Sequence, residues 1–129
     1  MAVEKRVPDL CNYAMFCGGC GHGVLLRLIC ECLEEFGQEK NTIAAIGVGC
    51  SCHLKSGINV DLVQSPHGRA GAVATGIRRA EPDKFVFSYQ GDGDAYNIGI
   101  AETLNAAYRN ENICVFVVNN NNFGMTGGQ

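Results

Sequence analysis

No apolar run in this chain approaches the ~20 residues that a membrane-spanning helix needs. The opening stretch, residues 1–10, has no apolar core of a secretory signal. Positive charge is scarce as well. Ten Lys and Arg against thirteen Asp and Glu leave a net charge of −3, which provides no basic footprint for nucleic acid. Internal repeats, linkers and low-complexity tails are missing too. The expectation is a cytoplasmic protein with neither a membrane nor a nucleic-acid partner. What remains is the composition of a folded protein, 47% apolar and 18% charged, in 129 residues that read as a single domain able to bury a core.

Two residue types are abundant. Eight cysteines are many for this length. With no export signal, disulfides are the weaker explanation, and Cys17-Gly-Gly-Cys20 has the spacing of a ligand pair. Cys11, Cys30, Cys32 and Cys114 read as buried or incidental thiols. Seventeen glycines cluster at 18–23, 47–49, 68–76, 91–99 and 124–128, where elements meet and backbone can approach a ligand closely.

Pro8 argues against a long helix in residues 1–16, and 17–23 read as a turn-rich loop. The spacing of Leu25, Leu28, Ile29, Cys32, Leu33 and Phe36 predicts a helix over 22–36 with one apolar face, stopped at Gly37. Residues 42–49 predict a buried strand and 54–66 a loop. Residues 68–80 predict a helix whose Gly68, Ala72 and Gly76 allow close packing, with Pro82 beyond its end. A strand over 85–89, a helix over 95–109 and a strand over 113–118 follow. Ile98, Ala101, Leu104, Asn105 and Tyr108 share one side of that last helix.

Near-continuous apolar strands alternating with helices predict an α/β fold, a mostly parallel sheet with helices on both faces. Ligands of such sheets bind beyond the carboxyl ends of the strands. All three predicted strands run into polar sequence there: VGCSCH, QGDGD and NNNNFG. The last strand has no crossover helix after it, so a fragment of a longer subunit is expected.

Gly91-Asp92-Gly93-Asp94 ends a strand and opens a helix. Free N–H groups and the helix dipole favour an anion there, yet two aspartates repel a bare phosphate. A hard cation resolves the conflict, because Mg²⁺ is shared between one or two carboxylates and substrate phosphates. Asn120 can add a neutral oxygen from the next strand end. It stands 28 positions after Asp92, enough for one helix and one strand to return to the same edge. Each loop alone reads as an ordinary turn. The pair at this spacing points to a metal and a diphosphate.

Gly91-Asp92-Gly93 followed by Asn119-Asn120 resembles the thiamine diphosphate motif. Together with CGGCGHG at 17–23, IGVGCS at 46–51, HGRAGAVATGI at 67–77, YQGDGDAYNIG at 89–99 and VNNNNFGMTGGQ at 118–129, it resembles the thiamine-diphosphate-binding subunit of 2-oxoacid:ferredoxin oxidoreductases, in particular the 2-oxoisovalerate and 2-oxoglutarate branches. The resemblance implies Mg²⁺ on Asp92, Asn120 and the carbonyl of Asn122, where family members carry an apolar residue at the last position. It implies thiamine diphosphate lined by backbone at Gly93, Asp94, Gly124 and Met125 and lying against Gly49 and Ser51, with His67 and Arg69 at the diphosphate or substrate end. It further implies three thiolates of a [4Fe–4S] cluster at Cys17, Cys20 and Cys50, the fourth ligand lying outside this chain. Cys52 is a possible substitute, and His53 and Lys55 have no secure role.

The activity implied is oxidative decarboxylation of a 2-oxoacid to an acyl-coenzyme A, with electrons passed through the cluster to ferredoxin. A partner subunit supplies the pyrimidine-binding half, and other oxidoreductase subunits complete the complex. Two alternatives stand beside it: a cluster-free thiamine diphosphate decarboxylase or synthase, and a non-catalytic zinc-binding domain using Cys17, Cys20, Cys50 and Cys52.

Overall fold

The computed structural model describes residues 6–129, so the first five residues of the irregular N-terminal stretch lie outside the described residues. Helix α1, Gly21–Glu35, leads into strand β1, Thr42–Ile46. A 3₁₀ turn at Cys50–His53 and the one-turn helix α2, Leu54–Gly57, precede β2, Asp61–Gln64. Helix α3 is Ala70–Ala80 and β3 is Phe85–Gly91. A π-helical turn, Gly93–Ile98, enters α4, Ile100–Tyr108, and β4 is Cys114–Val118.

The four strands form one parallel sheet in the order β2-β1-β3-β4. On one face α1 packs Leu26, Ile29 and Leu33 over Ala44, Ile46, Phe87 and Tyr89. On the other, Ala74 of α3 meets Ala45 and Val86. The expected α/β sheet with helices on both faces is therefore present, with one strand more than expected. Residues 54–66 were expected to be a loop, but 61–64 pair along β1, Ile43 with Asp61 through Ile46 with Gln64. This strand is short, lies at the edge and is largely exposed, so it lacks the apolar signature of a buried strand. Pairing with β1 makes it a strand.

Three predicted helix faces are corrected. The stripe of α1 that faces the core is His22, Leu26, Ile29, Cys30 and Leu33. Leu28 is 49% exposed and Phe36 71%, and both line an open apolar groove of about 900 Å³ with Phe85, Ile113, Cys114 and Phe116. In α3 the buried small residues are Ala70, Gly71, Ala74 and Thr75, whereas Ala72 and Gly76 are exposed. In α4 only Ala106 is buried, and Ile98, Leu104 and Tyr108 face outward. Periodicity located these helices, but packing chose which side of each is inside.

Candidate functional site: the crevice at the strand ends

The strand order fixes where the crevice lies. From β1 the chain goes to one side, to β2; from β3 it goes to the other, to β4. The carboxyl ends of β1 and β3 thus flank a topological switch point, where the connections diverge and leave a gap. The glycine-rich turns after both strands open into this gap.

After β1, Gly47 and Gly49 bring the backbone into the 3₁₀ turn that carries Cys50 and the buried Ser51, whose Oγ donates to Val48 O at 3.3 Å. Gln64 of β2 holds this exit by donating to Gly47 O at 2.7 Å. After β3, Asp92 is already helical and the chain winds a π-turn before α4, a feature frequent at functional sites. After β4, Asn121 takes a positive φ of 51°, which asparagine tolerates. Asn122 N–H donates to Asn120 Oδ1 at 3.2 Å, and the Phe123 ring lies against Gly93.

One cavity of about 180 Å³ collects these turns. It is lined by Gly49, Cys50, Ser51, His67, Asp92, Gly93, Asp94, Asn120, Asn122, Gly124 and Met125. Three expected site residues lie elsewhere. Arg69 turns away to pair with Glu102 at 3.0 Å across α3 and α4. Cys17 and Cys20 line a separate depression with Tyr13, Phe16 and Val24, their loop closed by Cys20 N–H to Cys17 O at 3.0 Å. Among the described residues no three Cys, His, Asp or Glu side chains converge as a metal site. Cys50 Sγ instead lies close to Gly124. The thiolate set as arranged here fits neither a cluster nor the zinc site that adds Cys52.

The oxygen donors do fit a hard cation. Among the described residues the Asp92 carboxylate has no hydrogen-bond or ion-pair partner, while Asp94 is fully engaged. A single free carboxylate with two asparagines leaves most of an octahedron for phosphate oxygens and water, which is how Mg²⁺ is usually held with a phosphorylated ligand. The cavity is smaller than the ~300–1,000 Å³ that encloses a whole drug-sized ligand, so it suits a diphosphate end with its metal.

His22 and Phe123 also line the cavity. The His22 ring is buried, stacks on Phe16 at 4.9 Å, and bonds Tyr89 Oη through Nδ1 at 2.7 Å. Burial, then His53, holds the imidazole below its usual range. Burial, then Cys20, pushes the Tyr89 phenol up. The pair is thus neutral, two ordinary partners inside the core. A sequence signal existed: Tyr89 is two residues from Phe87 on a strand, so both face α1. Tyr89→Phe keeps the ring but leaves His22 Nδ1 unpaired, and is expected to cost about 1–3 kcal/mol in urea unfolding. A change below a few tenths of that would mean the bond has no structural weight.

Residues 47–129 match the family described as thiamine pyrophosphate enzyme, C-terminal TPP binding domain, and the chain belongs to that family. Within it, the chain is 49% identical over 126 residues to ketoisovalerate oxidoreductase subunit VorA of Methanothermobacter thermautotrophicus, covering 98% of this chain and 26% of that protein. It is 40% identical over 127 residues to 2-oxoglutarate synthase subunit KorB of Methanocaldococcus jannaschii, covering 98% and 45%. A solved 2-oxoglutarate:ferredoxin oxidoreductase from Magnetococcus marinus, with 2-oxoglutarate, coenzyme A and succinyl-CoA bound, matches with a TM-score of 0.91 at 32% identity, covering 98% of this chain and 45% of that one. The chain therefore spans 26% to 45% of the length of these relatives. Among the described residues no helix is long and apolar enough to cross a membrane.

Proposed function

We propose that this chain is the part of a 2-oxoacid:ferredoxin oxidoreductase that holds the diphosphate end of thiamine diphosphate through Mg²⁺. The observation that carries this is the convergence of the unpartnered Asp92 with Asn120 and Asn122 at the switch-point crevice. Asp92, the Asn120 amide and the Asn122 carbonyl are assigned to the metal. Backbone at Gly49, Gly93 and Gly124, with Ser51 and Met125, is assigned to the diphosphate, and His67 to the ligand side. Bound thiamine diphosphate supplies the carbanion stabilisation that decarboxylation of a 2-oxoacid needs. The protein's part is to bind, orient and keep water from the phosphate end.

Cys17, Cys20 and Cys50 belong to this reading as [4Fe–4S] ligands on the family likeness alone, since their thiols are not brought together among the described residues. Partner subunits, ferredoxin and coenzyme A belong to the same reading. Tyr96, Ile98, Ile100, Leu104 and Tyr108 are exposed along the π-turn and α4, and an apolar surface of this kind supports contact with another subunit.

The test is reconstitution with the partner subunits under anaerobic conditions. Coenzyme A-dependent ferredoxin reduction should appear with a branched 2-oxoacid or 2-oxoglutarate, only with both Mg²⁺ and thiamine diphosphate present. Iron and sulfide should accompany the activity and fall in Cys17→Ser. A complex that binds thiamine diphosphate and consumes a 2-oxoacid, contains no iron and leaves ferredoxin oxidised would favour the cluster-free decarboxylase.

A further inference from the structure

Asp94 stands where the family likeness puts backbone against the diphosphate, which leaves its side chain free for another role. The residue is 3% exposed, and both carboxylate oxygens are taken by protein donors. Oδ1 accepts Gly68 N–H at 2.7 Å and pairs with His67 Nδ1; Oδ2 accepts Gln90 Nε2–H at 2.8 Å. Gly47 packs so closely on Oδ2 that a β-carbon there would overlap it, so glycine is required at this approach. Gln90 is wholly buried, and its Oε1 has no partner among the described residues, so the carboxylate alone orients its amide.

Gly68 N–H and Gln90 Nε2–H are fixed donors, one on each carboxyl oxygen, as a carboxylate requires. The group therefore only accepts. His67 Nδ1 must carry the hydrogen, and Nε2 is the ring nitrogen left for the cavity. The His67 side chain is 38% exposed there, beside Asp92, Asn120 and Asn122.

The geometry points to Asp94 as a positioning residue that touches no ligand with its side chain and acts through His67. It holds the imidazole with Nδ1–H inward and presents Nε2 to the cavity. This deepens the function proposed above and rests on it for the ligand's identity, though not for the tautomer. Behind a metal-ligating histidine such a carboxylate fixes ring orientation and tautomer, and its loss typically costs about 10–100-fold in affinity or activity; an effect of the same order is expected here.

Nitrogen-15 NMR of histidine-labelled protein reads the His67 tautomer with no cofactor present. The parent should show the Nδ1–H form, and Asp94→Asn should move the ring to Nε2–H or a mixture. A parent ring in the Nε2–H form, or an unmoved ring in Asp94→Asn, overturns the assignment. In the reconstituted complex, Asp94→Asn should lower kcat about 10–100-fold while the dissociation constant for Mg²⁺–thiamine diphosphate stays near the parent's. His67→Gln should lose as much, and the double variant no more than His67→Gln alone, because residues acting as a unit are not additive. Additive losses, or weaker cofactor binding by Asp94→Asn that persists when residue 67 is already Gln, return Asp94 to direct cofactor contact. A parent complex that binds no thiamine diphosphate sinks the functional proposal and leaves the tautomer result standing.

Discussion

Asp92→Ala should reduce the affinity of the complex for Mg²⁺–thiamine diphosphate at least ~100-fold at 1.4 kcal/mol per decade. Two carboxylates line the cavity, and they are not equivalent. Asp94 is clamped by Gly68, His67 and Gln90, whereas Asp92 has no partner among the described residues. Without Asp92 a divalent cation keeps only the neutral oxygens of Asn120 and Asn122. Removing one partner of a buried charge pair costs about 3–5 kcal/mol, and a metal–carboxylate contact in this crevice belongs in that range. Asp92→Asn, which keeps an oxygen but not the charge, should fall between parent and alanine variant. Titration calorimetry with Mg²⁺ and thiamine diphosphate together measures the effect. Undiminished affinity in Asp92→Ala would remove the metal from this site.

The second large effect concerns stability. Phe87→Ala should lower the unfolding free energy by about 3–5 kcal/mol, out of a total of roughly 5–15 kcal/mol for a domain. Phe87 is fully buried at the centre of the sheet, between Ala44 of β1 and Cys114 of β4. Its ring meets Phe116 edge-on at 5.4 Å and lies beneath α1, so its removal leaves a cavity in the core. Phe36→Ala is the matched control. That residue belongs to the apolar face predicted for α1, but it is exposed, and its removal should stay within about 0.5 kcal/mol. Urea unfolding of both variants separates the cases; an equal loss would mean that Phe36 is packed in solution.

Much of the fold is legible because the relevant signals are local. The apolar runs over β1, β3 and β4 mark strands, mostly buried in β1 and β3 and half-buried in the edge strand β4, and the glycine and asparagine turns mark their ends. The edge strand β2 is not legible, since Asp61 to Gln64 becomes a strand only by pairing with β1. The inward side of α1 is not legible either. Its apolar residues spread around more than one face, and His22 reaches the core through a bond to Tyr89, 67 residues away.

The sequence by itself determined the polar chemistry at the strand ends: aspartate and asparagine oxygens beside flexible glycine turns, placed one helix and one strand apart. Those residue types suit a hard cation and a diphosphate whatever the packing around them. Only the tertiary structure decided how the work divides. Asp92 and Asp94 are two residues apart on one turn and chemically identical, so no local pattern distinguishes them. The strand order opens a crevice at the ends of β1 and β3, and the π-turn leaves Asp92 in it. Asp94 is turned inward onto donors from two segments, the His67-Gly68 turn and Gln90 at the end of β3, which only the folded chain aims at one carboxylate. Arg69 is removed from the site in the same way, because α4 places Glu102 beside it.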